Sequence, residues 1–226
     1  GNHAANGANV VITGGVFETN AENKPSLYIG SNGTTAVAIS GGTFSEPVLE
    51  EYCAAGYIPQ DNVDGTYGVK LGQYVAMVGD VKYETLVEAV AAVSATDNEI
   101  IILANSAESV SVPADVIINL NEIVTEAYIT AGGNLTFKGN GSIKTLKSIV
   151  GGTITVENGK TLALNNFSFG SSDNASATYT ITGGTITANY GFFQHGVYAL
   201  YSNFETGYMY YSFGSDITVY GTFHSE

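Results

Sequence analysis

Apolar and polar residues alternate along most of this chain in short runs. Leu135-Thr136-Phe137, Thr153-Ile154-Thr155-Val156, Leu162-Ala163-Leu164 and Thr178-Tyr179-Thr180-Ile181 all have period two, and β-branched or aromatic residues fill them. Gly, Asn, Asp and Ser punctuate the runs, so the pattern predicts many short β-strands. Strands this short cannot stand alone. Stacked coil on coil, each would pair with its counterparts at about 4.8 Å, and the inward side chains would form one continuous core.

The runs recur in a phrase. Val11-Ile12-Thr13-Gly14-Gly15-Val16-Phe17 returns as Ala38-Ile39-Ser40-Gly41-Gly42-Thr43-Phe44, then as Ile149-Val150-Gly151-Gly152-Thr153-Ile154 and Ile181-Thr182-Gly183-Gly184-Thr185-Ile186. Repeats spaced by about 20–50 residues mark solenoids, propellers or arrays. The paired glycines suit sharp bends that need positive φ. The expected fold is therefore all-β, a right-handed parallel β-helix (solenoid), with a β-sandwich as its main rival. Residues 100–226 would supply roughly five or six coils of about 20–25 residues.

One segment breaks the β pattern. In Tyr83 to Val93, Leu86, Ala89, Val90 and Val93 fall on one helical face, and Thr85 and Glu88 are spaced as a capping box. A short capping α-helix near 85–94 is predicted. It would cover the open hydrogen-bonding edge at the start of a stack, an edge that otherwise invites aggregation.

Gly79-Asp80-Val81-Lys82-Tyr83-Glu84-Thr85-Leu86-Val87-Glu88-Ala89-Val90 followed by Ile100-Ile101-Ile102-Leu103 resembles the opening of β-helix (pectin-lyase-like) repeat modules in large secreted or cell-surface proteins of gut-type bacteria. Val116 to Asn121 and Leu135 to Ile143 are similar to early coils of such modules. Ile39 to Ser45, Glu51 to Tyr57 and Asp64 to Tyr67 look like their closing segment. At Asn121-Glu122 the chain departs from the family, which usually has Gly after Asn. A closing segment thus precedes an opening one. The expected division is 1–70, terminal coils and closing segment of a first module, and 71–226, a second module that begins with the capping helix.

Charge narrows the partners. With Lys+Arg 7 against Asp+Glu 21, the formal net charge is −14, and all seven basic residues are Lys. Nucleic acid and anionic membrane surfaces demand clustered positive charge, so neither is an expected partner. No apolar run approaches the ~18 residues of a membrane span, so no membrane insertion is expected within this chain. The single cysteine, Cys53, allows no intrachain disulfide. The chain opens Gly1-Asn2 without Met and closes without a clear terminating element, which reads as a processed piece of a longer protein.

Catalysis has little to stand on. The resemblance to pectate-lyase-like enzymes implies proton abstraction by Arg or Lys beside carboxylate-bound calcium, and there is no Arg here. Lys138, Lys144, Lys147 and Lys160 read as surface lysines, with Glu157 the closest acid. A glycosidase needs two carboxylates about 5–10 Å apart. Asp115, Glu122, Glu126, Glu157, Asp173, Glu205 and Asp216 form no neighbouring pair in sequence. His3, His195 and His224 are scattered, Cys53 has no visible partner, and no phosphate or dinucleotide fingerprint appears. No catalytic residue, metal or cofactor is expected.

The distinctive stretch is Tyr190 to Phe223, which holds nearly half of all aromatics. Ring faces suit the C–H faces of sugars, and Tyr also serves protein contacts at little entropic cost. Tyr198, Tyr201, Tyr208, Tyr210, Tyr211, Gln194 and Asn203 are the candidate ligand contacts. The competing reading turns half of these rings inward as core. The expected function is a non-catalytic extracellular or cell-surface module for adhesion or carbohydrate contact, with a glycan or a host or cell-surface protein as partner. A polysaccharide-active β-helix enzyme and a structural stalk or spacer are the alternatives.

Overall fold

The computed structural model describes residues 9–19, 25–28, 35–212 and 214–225, so His3 and Phe213 lie outside the described residues. The described chain is mostly β-strand with one α-helix. It divides into two compact units, Gly1–Gln73 and Tyr74–Glu226.

In the first unit, β1 (Asn9–Phe17) and β2 (Ala36–Phe44) pair in parallel, which brings the first two Gly-Gly phrases side by side. Ile12 lies opposite Ile39 and Phe17 opposite Phe44, whose rings stack at 4.8 Å. The antiparallel pair β3 (Tyr57–Asp61) and β4 (Tyr67–Leu71) completes a sheet of order β1-β2-β4-β3. Ile12, Ile39, Phe44 and Val48 form its core. Register shifts interrupt the β1–β2 ladder at the glycines. Gly42 sits there at φ +114°, and a Cβ on it would come 3.2 Å from the Phe44 ring. Only glycine takes that backbone without strain.

The second unit opens with β5 (Ala76–Val78), β6 (Val81–Tyr83), α1 (Leu86–Ala92) and β7 (Glu99–Ile102). Then follow β8 (Ser109–Val112), β9 (Val116–Asn119), β10 (Tyr128–Ala131), β11 (Leu135–Lys138), β12 (Gly141–Ser148) and β13 (Gly152–Phe169). The last are β14 (Thr178–Phe193), β15 (Gly196–Leu200), β16 (Asn203–Tyr211), β17 (Ser215–Val219) and β18 (Phe223–Ser225).

These strands make three parallel ladders. The first runs β7-β9-β11-β13-β14-β15-β17 and uses the opening residues of β13 and β14. The second pairs Gly141–Ile143, the middle residues of β13 and β14, the start of β16, and β18. The third runs β8-β10, then the ends of β12, β13, β14 and β16. The long strands β12, β13, β14 and β16 therefore each serve two or three ladders in turn. Period-two alternation sends Phe137, Val156, Ile143, Phe204, Leu146 and Phe167 inward, all essentially buried, into one apolar cluster.

The spacing between paired residues is tighter than the Gly-Gly phrases suggested. Side-chain ties between neighbouring passes commonly link residues 19 apart, such as Asn134 Nδ2 to Asp115 Oδ1 and Thr222 to Asn203. The wider spacing of the phrases reflects longer passes, in which Ile154 pairs with Ile181. At Gly183, between those passes, φ is +94° and a Cβ would collide with the Val156 carbonyl. At Asn121-Glu122, where Gly was expected, both residues take positive φ, 50° and 61°. Backbone bonds from Ile123 N to Leu120 O and from Glu122 N to Asn140 O hold that turn, at 2.8 and 2.9 Å.

The capping box forms as the spacing predicts. Glu88 N donates to Thr85 Oγ1 at 3.1 Å, and Thr85 N donates to Glu88 Oε2 at 3.2 Å. Another free amide of the first turn, Leu86 N–H, reaches Glu108 Oε2 at 2.6 Å. The helix buries Leu86 and Ala89 and packs against β5, β6 and β8. It stops at Ala92 because Val93 turns to φ −59°, ψ 135°. The helix does not cover this edge of the stack alone. The structure adds the β5–β6 hairpin, whose β5 pairs antiparallel with β7 and closes the first ladder.

Candidate functional site

The third ladder carries the aromatic surface. Its outward rows follow from strand alternation: Tyr128, Thr145, Asn166, Tyr190 and Tyr208 in one, and Thr130, Lys147, Ser168, Phe192 and Tyr210 in the next. Tyr190 and Tyr208 stack with centroids 5.6 Å apart and planes 15° apart; Phe192 and Tyr210 stack at 5.1 Å and 18°. Successive strands are about 4.8 Å apart, so ring-on-ring stacking is the natural packing for identical positions on neighbouring strands. In such a stack each ring covers its neighbour's face. Among the described residues β16 is the last strand of this ladder, and no ring lies beyond Tyr208 and Tyr210. Their greater exposure agrees: 60% for Tyr208 against 47% for Tyr190, and 48% for Tyr210 against 41% for Phe192.

The other expected contacts disperse. Tyr198 requires a correction: it is 1% exposed, stacks on Tyr179 inside the core, and donates its hydroxyl to Phe169 O and Gln194 O at 2.8 and 2.9 Å. Alternation on β15 faces it inward, and burial drives its pKa strongly upward. Tyr211 holds an inward register, stacked on Phe193, yet is exposed on the last strand; burial of part of the ring raises its pKa. Tyr201 follows β15 and stacks on Tyr220 at 4.4 Å, away from the third ladder. Asn203 opens β16, and its Oδ1 accepts from Thr222 Oγ1 at 2.7 Å, a tie between passes. Gln194 follows β14 and donates to Ser168 Oγ at 3.2 Å. Of the seven candidates, only Tyr208 and Tyr210 join one continuous surface. Their partners Tyr190 and Phe192 were visible in the aromatic run and would have been chosen by counting outward positions.

Beside this surface the chain turns from the second ladder to the third through single unpaired residues, Lys144, Asn165, Asn189 and Gly207. A groove of about 460 Å³ opens at this corner, lined by Glu126, Ser142, Lys144, Ala163, Asn165 and Asn189 among others. Lys144 Nζ meets Glu126 Oε2 at 2.7 Å and stands 5.4 Å from the centre of the Tyr128 ring. The hydrogen bond to Glu126 raises the Lys144 pKa. Asn189 Nδ2 donates to Asn165 Oδ1 at 3.0 Å.

Several titratable groups tie the framework together. Lys138 Nζ bonds Glu99 Oε2 at 2.7 Å, and this bond holds the Glu99 carboxyl below its usual range. Glu157 accepts from Gly139 N at 2.9 Å, and Glu122 from Asn140 Nδ2 at 3.1 Å. The half-buried Cys53 thiol has a raised pKa, chiefly through burial, which keeps it protonated. Among the described residues no group of three His, Cys, Asp or Glu could hold a metal ion, and no helix is long and apolar enough to cross a membrane. Compared with known proteins, the chain matches no family model, no curated protein and no solved structure.

Proposed function

We propose that this chain is a non-catalytic, extracellular or cell-surface module whose second unit is a right-handed parallel β-helix that contacts carbohydrate. The winding is supported by three parallel ladders that the chain visits in fixed order, and right-handed crossover is the strong rule for parallel strands. One observation carries the ligand reading: two stacked aromatic pairs lie exposed side by side on an outward sheet face. Sequence patterning spends apolar residues inward, so exposed aromatics at four adjacent outward positions need a use. The end faces of Tyr208 and Tyr210 offer π surface for the C–H face of a sugar ring, and among the described residues their hydroxyls have no partner, so they can meet its oxygens. A polysaccharide-active enzyme has less support. A glycosidase needs a carboxyl kept protonated, whereas the Lys138 hydrogen bond lowers the Glu99 pKa and the Thr66 hydrogen bonds lower that of Asp64. A lyase of the pectate type uses Arg or Lys as its base, and the chain has no Arg.

A glycan-array screen of the purified chain, repeated with Tyr208→Ala/Tyr210→Ala, tests the reading. Specific glycan binding that falls about tenfold or more in the still-folded variant is expected. Absence of binding to every glycan, or binding indifferent to both tyrosines, would remove this reading.

A further inference from the structure

Resting on the carbohydrate reading, we propose that the corner groove at Lys144, Asn165 and Asn189 is a binding groove for an uncharged saccharide chain that crosses successive strands. Glu126, Lys144, Asn165 and Asn189 belong to four consecutive passes of the chain. Strands about 4.8 Å apart make those three steps about 14 Å long. A chain of pyranose rings advances by a comparable step per ring, so each pass can meet one ring. The groove volume, about 460 Å³, suits a short run of sugars and not a flat contact alone.

The chemistry of the lining points to hydroxyls. Sugar hydroxyls both donate and accept, and they are best met by groups that do the same or by mixed neighbours. Asn165 and Asn189 each carry an amide donor and a carbonyl acceptor. Their mutual bond fixes both amides and leaves the Asn165 NH2 and the Asn189 carbonyl uncommitted among the described residues. The Glu126 carboxylate and Lys144 ammonium add acceptors and donors held at one place by their 2.7 Å contact. Ala163 and Ser142 put small side chains in the lining. The corner abuts the row that holds Tyr190 and Tyr208, so a sugar chain in the groove lies next to the aromatic surface.

Charge selects among sugars. Among the described residues lining the groove, Lys144 is the one cation and Glu126 matches it, and the chain's formal charge of −14 disfavours polyanions. An uncharged oligosaccharide is the ligand class that fits.

Titration calorimetry with a length series of neutral and uronate oligosaccharides decides the matter. It should be run on the wild type, Ala163→Leu, Asn165→Ala/Asn189→Ala and Tyr208→Ala/Tyr210→Ala, each checked for its fold by circular dichroism. Ala163→Leu adds bulk to the groove lining without removing a side-chain hydrogen bond, so it keeps the test sound if the asparagine variant unfolds. The expected result is neutral-sugar affinity that climbs with chain length and falls about tenfold or more in Ala163→Leu and in the asparagine variant. Uronates that bind better than neutral sugars would overturn the proposal. So would groove variants that bind like the wild type; if the tyrosine variant alone then lost binding, the broader carbohydrate reading would survive. Failure of the wild type to bind any saccharide would end both.

Discussion

Two buried tyrosines stacked at 4.9 Å separate the worth of a hydrogen bond from the worth of a ring. Tyr198 donates to two carbonyls, Phe169 O and Gln194 O. The Tyr179 hydroxyl is equally buried but has no partner of good geometry among the described residues. Gly151 and Gly170 N–H lie towards it, yet Gly170 N–H is already committed to Ser148 O at 2.8 Å. Loss of the Tyr198 donor takes a bond from Gln194 O and leaves Phe169 O with only its 2.7 Å bond from Gln194 N, whereas loss of an unsatisfied hydroxyl relieves a desolvation cost. Tyr198→Phe is therefore expected to destabilise by about 1–2 kcal/mol and Tyr179→Phe to be neutral or stabilising. Urea unfolding of both variants checks this, and equal losses would show that Tyr179 has an acceptor or donor after all. Which of the two hydroxyls is satisfied could not be read from sequence, because the carbonyls that meet Tyr198 lie 29 and 4 residues away and only the folded corner gathers them.

At the scale of elements, side chains tie strands that the backbone ladder already pairs. Glu99 on β7 accepts from Asn119 on β9 and from Lys138 on β11, a clip across three strands. Its carboxyl pKa is lowered, mainly by the Lys138 hydrogen bond, so the clip contributes stability above the unfolded carboxylate pKa of about 4.3 and loses it as pH falls through the lower folded value. Wild type should melt above Glu99→Gln at neutral pH, and the gap should begin to narrow as pH falls below the unfolded carboxylate value of about 4.3. The pair is partly exposed, so solvent screening keeps the effect to about 1 kcal/mol or less. A gap that stays constant from neutral to acid pH would assign the effect to packing. Elements of this kind divide sharply in legibility. The α1 capping box and the alternating strands are local signals and were plain in the residues. The β5–β6 hairpin was not, since three-residue strands leave no periodicity, and the Glu99 clip depends on pairing across 39 residues.

Across the second unit, each strand touches mainly its neighbours before and after, so stability should vary along the ladders and not be shared evenly. Phe137 lies mid-ladder, paired through β11 with both β9 and β13, and is fully buried. Phe223 lies on β18, which has a single strand neighbour, and it is only partly buried against the Phe204 ring. Period-two alternation in Leu135-Thr136-Phe137 predicts an inward face, but the residues alone leave the facing of Phe223 open and cannot rank it against Phe137. That ranking comes from how many strands flank a residue. Truncation of a fully buried Phe costs about 3–5 kcal/mol, and a residue with one flanking strand has fewer contacts to lose. Phe137→Ala should therefore lower the global unfolding free energy severely, while Phe223→Ala should cost less than half as much. Hydrogen exchange gives the sharper readout. Amides of β16, β17 and β18 should exchange through local opening, faster than those of β9, β11 and β13, and Phe223→Ala should speed only the former. Uniform acceleration in every strand would instead mean that the unit opens as one cooperative body, and the nearest-neighbour account of its stability would fall.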